Sequence, residues 1–178
     1  MNVDPYLTGV LYGDGTSYLA KNGAYSVWID QADHDILDRE VVPRLRKMNF
    51  KVHFYDYTSR TDGRHKWRAL VFSKDLFLWF RSMRANILDI VAMMNAREFK
   101  RFLAGFFDAE GTKTDRIVVY NRNRKLLKLI QKKLAGIGVS SYIYGFGRVY
   151  GIQIYRKVDA EKFCRLVQSY RLKARSAG

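Results

Sequence analysis

The sequence predicts an α+β protein built from two related halves, each ordered helix, strand, strand, helix, strand, strand, helix (αββαββα). The first observation is a repeated nonamer, LTGVLYGDG at residues 7–15 and LAGFFDAEG at residues 103–111. The second is that similar strand and helix patterns follow each nonamer at nearly constant spacing. Self-similarity of this kind indicates two copies of one structural unit.

Each nonamer predicts a helix with a narrow stripe of small residues. Asp4 can cap the first helix, and Pro5 fits its first turn. Mid-helix glycine costs about 1 kcal/mol relative to alanine, which favours a close contact between the two helices over solitary surface helices. The small residues expected at this interface are Gly9, Gly13, Gly105 and Ala109.

Both predicted helices end in an acidic residue followed by glycine. Asp14 precedes Gly15 and Glu110 precedes Gly111, and we expect both glycines to adopt the left-handed conformation that ends many helices. Pairing the helices brings two carboxylates together at the negative ends of the helix dipoles, which is unfavourable without a cation. These hard oxygen ligands suit Mg²⁺.

Strands and further helices follow each nonamer. Asn22-Gly23 predicts a hairpin in the first half, and the equivalent hairpin of the second half is shorter. Amphipathic helices come next, and Pro43 should kink the first of them. The predicted strands are 17–21, 25–30, 51–57, 65–72, 116–120, 141–144 and 149–155, and the closing helices are 74–84 and 159–172. We expect residues 1–84 to form the first half, 85–96 a packed connector and 97–178 the second half of one compact unit.

The charge balance predicts a polyanionic partner. The chain carries 32 Lys and Arg against 17 Asp and Glu, a formal charge of +15. Nucleic acid is favoured over an anionic membrane surface, and a merely basic surface is the alternative. A single cysteine and three scattered histidines argue against disulfide or zinc chemistry. Because neither a secretion signal nor a membrane-spanning run is evident, we expect an intracellular, cytoplasmic protein.

These motifs resemble the LAGLIDADG homing endonucleases, specifically the monomeric two-motif kind found in archaeal introns. The resemblance covers Tyr6 to about Leu172. It implies two pseudo-twofold-related αββαββα units, each with a four-stranded antiparallel sheet, that form a DNA-binding saddle around a central two-helix interface. It also implies a double-strand break made across the minor groove with short 3′ overhangs. Because a single chain with unequal halves need not read a palindrome, we expect the target to be long and asymmetric. The implied cofactor is Mg²⁺ or another hard divalent cation such as Mn²⁺.

The same resemblance implies a set of catalytic residues. Asp14 and Glu110 match the metal-binding acids of the family. Lys113 matches a lysine that orders active-site water in relatives, with a solvated loop lysine as the alternative, and Ser17 stands at the corresponding place in the first half. Two strand-end amides match polar pocket residues, with helix capping as their alternative role. The implied catalytic set is Asp14, Glu110, Lys113, Gln31 and Asn121.

Strand alternation predicts which side chains face DNA. Arg64, Lys66 and Arg68 point to one face of a strand, whereas Ala69 and Val71 point to the other. Such ribbons can enter a major groove, although a polar outer face of a half-buried sheet explains any one residue equally well. The candidate DNA contacts are Ser26, Trp28, Lys51, His53, Tyr55, Arg64, Lys66, Arg68, Arg116, Tyr142, Tyr144, Arg148, Gln153 and Tyr155.

Three functions are compatible with these sequence features. The first is a site-specific endonuclease that acts as a monomer on double-stranded DNA. The second is an intron-splicing maturase, or another non-cleaving nucleic-acid-binding protein of the same fold, with intron RNA as a further partner. The third is a basic scaffold or ribosome-associated protein, in which the paired acidic helix ends would be accidental. Both acids are present, which favours the endonuclease.

Overall fold

A computed structural model describes residues 3–174 of the chain. It contains two four-stranded antiparallel sheets with helices around them, so the predicted α+β class is confirmed. In both sheets the strands lie in the order first, second, fourth, third, counted along the chain within each half, so the two halves share one topology. Among the described residues, no helix combines the length and the apolar character needed to cross a membrane.

The elements follow the repeat predicted from the nonamers. The first half contains α1 (Pro5–Asp14), β1 (Gly15–Leu19), β2 (Tyr25–Gln31), a π-helical segment (Ile36–Val41), α2 (Val42–Lys47), β3 (Val52–Thr58), β4 (His65–Phe72) and α3 (Lys74–Ala85). A short helix, α4 (Ile87–Met93), leads into the second half. The second half contains α5 (Ala96–Glu110), β5 (Gly111–Lys113), β6 (Ile117–Asn121), α6 (Arg124–Gly136), β7 (Tyr142–Phe146), β8 (Val149–Ile154), α7 (Lys157–Leu166) and α8 (Tyr170–Ala174). The proposed boundaries 1–84, 85–96 and 97–178 stay a prediction.

The two nonamer helices, α1 and α5, touch through their backbones. A Cβ atom built on Gly9 would overlap the Phe102 carbonyl oxygen, and one built on Gly105 would overlap the Tyr6 carbonyl oxygen. Each helix therefore presents bare backbone to the other, which no larger residue allows at these positions. Large buried side chains flank this contact on α5, among them Phe102, Phe106 and Phe107. Burying a side chain of that size stabilises the fold by about 1.5–3 kcal/mol.

The glycines that follow the two acids do not have the expected conformation. Gly15 has φ −72° and ψ 142°, and Gly111 has φ −89° and ψ 151°, so both are extended rather than left-handed. The prediction was wrong because each helix runs directly into a strand, without the reversal that a left-handed residue produces. Glycine is needed for space instead: a Cβ atom on Gly15 would overlap the Leu11 carbonyl oxygen, and one on Gly111 would lie 2.5 Å from the Phe107 carbonyl oxygen.

Two predicted helices depart from a regular α-helix. The π-helical segment Ile36–Val41 stands immediately before α2, where Pro43 occupies the first turn. Proline has no N–H to donate to the preceding turn of a helix. The missing hydrogen bond accounts for the π-helical segment, which lies where the sequence predicted a kink.

The prediction of a single closing helix over 159–172 was wrong, because α7 ends at Leu166 and α8 begins at Tyr170.

Candidate active site

Asp14 and Glu110 are the last residues of α1 and α5, and their carboxyl groups lie close enough to interact electrostatically. Their approach follows from the small residues one position earlier: a Cβ atom built on Gly13 would lie 2.5 Å from the Ala109 Cβ and 3.0 Å from the Glu110 Cγ. Burial raises the pKa of Asp14 to about 7, and the negative charge of Glu110 contributes to the rise. Burial also raises the pKa of Glu110, against a hydrogen bond from Asn121. Both acids are therefore held in an environment that disfavours their ionised forms.

This environment predicts a pH-dependent effect on stability. Because folding raises the pKa of Asp14, the folded chain binds this proton more tightly, and the group's contribution to the free energy of unfolding falls as pH rises from about 4 to about 7. Asp14→Asn removes that dependence. In the presence of a metal chelator, the melting temperature of Asp14→Asn should rise relative to that of the wild type between about pH 5 and about pH 8. Each kcal/mol corresponds to about 2–4 °C.

Asp89→Asn is the control for this measurement, because Asp89 is an exposed acid on α4. Its melting temperature should differ from the wild type by the same amount at both pH values. A difference between Asp14→Asn and the wild type that does not change with pH would contradict the raised pKa.

Each carboxylate is paired with the amide that ends the second strand of its half. Gln31 Nε2 donates a hydrogen bond to Asp14 Oδ2, and Asn121 Nδ2 donates to Glu110 Oε1 at 3.3 Å. The structure thus brings together four of the five residues expected in the catalytic set, in two equivalent pairs. Helix capping, the alternative role, is performed in the second half by Asn123, whose side chain accepts from the backbone N–H of Leu126. Asn121 Oδ1 accepts from the backbone N–H of Asn123 at 2.9 Å. The fifth residue, Lys113, lies half-buried on β5, and its role stays a prediction.

Two arginines that the sequence patterns did not single out reach this site. Exposed Arg84, in the last turn of α3, donates to the Tyr12 carbonyl oxygen at 3.1 Å. Arg171 on α8 donates to the Gly111 carbonyl oxygen at 2.8 Å. Both lower the pKa of Glu110, and Arg171 also lowers that of Asp14. Each arginine comes from the last helix of its half, so an alignment of the closing helices is the sequence comparison that could have suggested them.

Two cavities open beside the acids. One of about 630 Å³ is lined by Asp14 and Ser17, and one of about 230 Å³ by Glu110 and Asn121. Arg84 lines both of them. The site therefore places two carboxyl groups beside open cavities, and the guanidinium of Arg84 lines both cavities.

The acids fit a divalent cation that is shared with a substrate. No group of three or more His, Cys, Asp and Glu side chains suited to hold a metal occurs within residues 3–174. Mg²⁺ needs only one or two protein carboxylates, because water and substrate phosphate oxygens complete its octahedral shell. Burial and, after it, the charge of Glu110 raise the pKa of Asp14, and a bound cation would favour the ionised form of both acids.

Arg68 is held more tightly than strand alternation suggested. Its guanidinium donates to both carboxylate oxygens of Asp30, at 2.7 and 2.8 Å, and lies 4.9 Å from the Trp28 ring centroid and 4.6 Å from that of Tyr57. A bidentate ion pair of this kind restricts the donors that remain for a base. Arg68 is thus part of an ordered polar cluster on the open face of β2 and β4, and its contact with DNA stays a prediction.

The other candidate DNA contacts are spread over the open faces of both sheets and the adjoining turns. Ala69 and Val71 are buried on the opposite face of β4, as alternation requires. Ser26 is buried, and its hydroxyl donates to the Tyr18 carbonyl oxygen at 3.1 Å, which leaves it little access to a ligand. Lys66 forms an ion pair with Asp62. The exposed members are Lys51, His53, Tyr55, Arg64, Arg116, Tyr142, Arg148 and Tyr155, and the half-buried ones are Trp28, Lys66, Arg68, Tyr144 and Gln153.

Sequence comparisons identify relatives of this chain. Residues 90–168 match the LAGLIDADG-like domain family. Homing endonuclease I-DmoI from Desulfurococcus mucosus is 27% identical over 157 residues, which span 85% of this chain and 79% of that protein. The uncharacterized protein MJ0314 of Methanocaldococcus jannaschii is 26% identical over 149 residues, 78% of this chain and 56% of that protein.

Solved structures agree with these matches. I-DmoI in complex with DNA and Mn has a TM-score of 0.74 and 28% identity, covering 93% of this chain and 96% of that chain. I-DmoI with DNA and Ca has a TM-score of 0.74 and 27% identity, covering 95% and 90%. The N-terminal LAGLIDADG domain of WhiA shares the fold alone, with a TM-score of 0.67 at 12% identity. The chain thus contains a LAGLIDADG-like domain over residues 90–168 and is similar in sequence and in fold to the homing endonuclease I-DmoI.

Proposed function

We propose that this chain is a site-specific DNA endonuclease that works as a monomer and hydrolyses both strands of a long, asymmetric duplex target. The observation that carries the proposal is the pair of carboxylates at the ends of the central helices, each with a strand-end amide. The matched I-DmoI structures, which contain DNA with Mn or Ca, support it. A DNA substrate agrees with the expected intracellular location.

Asp14 and Glu110 would hold Mg²⁺ or another hard divalent cation such as Mn²⁺. When bound, the ion supplies Lewis-acid activation of water and neutralises charge on the phosphate. The chain's own residues prepare the site: Gln31 and Asn121 fix one oxygen of each carboxylate, and Arg84 places a positive charge between the two cavities. In this proposal Lys113 orders the attacking water. The open sheet faces hold the duplex so that cuts fall across the minor groove and leave short 3′ overhangs.

A cleavage selection tests this function. The protein is incubated with a random-sequence duplex library and Mg²⁺, and the ends of the cut molecules are sequenced. We expect one long asymmetric consensus with short 3′ overhangs. Specific binding without cutting, in Mg²⁺ and in Mn²⁺ alike, would refute cleavage and favour a non-cleaving binding protein of the same fold.

The two halves should read DNA differently. The first half presents Arg68 in an ordered cluster, whereas the second owes much of its charge to helical lysines such as exposed Lys125. We expect Arg68→Ala to relax base preference at a few positions of one half-site by about 1–3 kcal/mol. Lys125→Ala should weaken binding to all sequences similarly, with at most about one unit off the salt slope. Cleavage profiles over all single-base variants of the target check both expectations.

A palindromic preferred site would contradict the division between the halves. An Arg68→Ala profile that stays flat across both half-sites would show that the Asp30 ion pair keeps this arginine from reading bases. Lys125→Ala is the matched control in that comparison, because it also removes one positive charge.

A further inference from the structure

The C-terminal helix α8 is anchored beneath the active site by a buried acid. Asp108 on α5 is fully buried and accepts hydrogen bonds from the backbone N–H groups of Tyr170 and Arg171 at 2.9 and 2.8 Å. The Tyr6 hydroxyl on α1 donates to the same carboxylate at 2.8 Å. The Tyr170 hydroxyl donates to Asp35 of the first half at 2.8 Å. The start of α8 is therefore bound to both halves.

This anchorage places the Arg171 side chain between the two halves of the site. One guanidinium nitrogen, Nη1, donates to the carbonyl oxygen of Gly111, the residue after Glu110, at 2.8 Å. The other, Nη2, donates to Gln31 Oε1 at 3.2 Å. The remaining end of the same Gln31 amide, Nε2, donates to Asp14. Arg171 is thus one side chain away from the Asp14 carboxylate.

The chemistry of these partners fixes which way the Gln31 amide faces. A guanidinium is a donor only, so the amide oxygen must face Arg171. The amide NH₂ faces the other way, where it donates to Asp14 Oδ2 and also to the Asp108 carbonyl oxygen at 3.4 Å, which is an acceptor only. Within residues 3–174, Arg171 is the group seen to donate to the amide oxygen, so its loss removes the contact that holds this oxygen away from the carboxylate.

The equivalent amide in the second half is held in another way. Asn121 Nδ2 donates to Glu110, and its Oδ1 accepts from the backbone N–H of Asn123, two residues further along the chain. The amide of Asn121 is therefore oriented by a nearby backbone N–H, whereas the amide of Gln31 is oriented by the Arg171 side chain, which is distant in sequence. The repeated halves differ here in what orients their amides.

We propose that Arg171 is a positioning residue of the Asp14 side of the site, acting by orienting the Gln31 amide toward the carboxylate. The inference rests on the proposed endonuclease function. It assigns α8 a role in the catalytic geometry of the first half, although α8 belongs to the second.

A double-mutant cycle tests whether Arg171 acts through Gln31. Arg171→Met, Gln31→Ala and the double variant are compared in single-turnover cleavage of the selected target with Mg²⁺. We expect Arg171→Met to cut about 10–100-fold more slowly, the range typical of residues that orient metal ligands. DNA binding measured in Ca²⁺ should stay within about threefold, or roughly 0.7 kcal/mol. The double variant should be no slower than Gln31→Ala alone.

Arg165→Met is the matched control, because Arg165 is an exposed arginine on α7. It should cut at the wild-type rate. A wild-type rate for Arg171→Met, or losses that multiply in the double variant, would overturn the proposal.

The Gln31 amide itself gives a second measurement that needs neither DNA nor metal. Its side-chain NH₂ signals in a ¹⁵N-labelled sample are identified by their absence in Gln31→Ala. They should shift in Arg171→Met and stay in place in Arg165→Met. If Arg171→Met does not fold, Arg171→Lys takes its place, because lysine lacks the planar fork that reaches both acceptors. Unshifted signals in the folded Arg171 variant would refute the contact.

These measurements distinguish a failure of the proposed endonuclease function from a failure of the positioning role of Arg171. A wild-type protein that cuts no DNA refutes the proposed function, whereas the amide signals still report on Arg171. A wild-type protein that cuts, together with unaffected Arg171 variants, refutes only the positioning role.

Discussion

Asp14→Asn or Glu110→Gln is expected to abolish double-strand cleavage, while duplex binding stays within about tenfold, or roughly 1.4 kcal/mol. An amide cannot supply the negative oxygen that a hard divalent cation requires. Binding should persist because both acids lie at the ends of the central helices, whereas the candidate DNA contacts lie mainly on the sheets and the adjoining turns. Cleavage in Mg²⁺ and a binding titration in Ca²⁺ measure the two properties separately.

The control is Asp89→Asn, which removes one exposed acid from α4 and should leave cutting unchanged. Undiminished double-strand cutting by either active-site variant would refute the assignment of these acids. A loss of binding as large as the loss of cutting would instead assign them to DNA affinity.

Gly9→Leu or Gly105→Leu is expected to unfold the protein or destabilise it severely. Even alanine should be costly at these positions, because its Cβ would overlap a backbone carbonyl oxygen of the facing helix. Overpacking typically costs about 1–3 kcal/mol, and leucine adds further atoms to a contact between two backbones that cannot easily separate. Thermal unfolding followed by circular dichroism measures the effect.

Gly136→Ala provides the comparison within the same chain. Gly136 ends α6, and a Cβ atom there meets nothing within 4 Å, so alanine should leave the melting temperature unchanged or raise it. Wild-type melting temperatures for Gly9→Leu and Gly105→Leu would show that α1 and α5 do not pack as the structure has them.

The sequence by itself determined the repeated architecture of this protein. Each of its patterns predicts one kind of element. The two nonamers predict the central helices, the apolar periodicity predicts the amphipathic helices, and the alternation of side chains predicts the strands. The burial of Ala69 and Val71 behind Arg68 follows from alternation alone. The same patterns placed Asp14 and Glu110 at equivalent helix ends, because both motifs carry the acid at the same position.

Only the tertiary structure decided what surrounds those acids. Arg171 and Gln31 are separated by 140 residues in sequence, and no local periodicity relates them. The extended backbone of Gly15 depends on the strand that follows, and the ion pair of Arg68 depends on a neighbouring strand. Side-chain partners of this kind are set by how the packed elements meet. A sequence pattern predicts which face of each helix or strand is buried. Which elements then contact each other is decided by the packing of the whole chain.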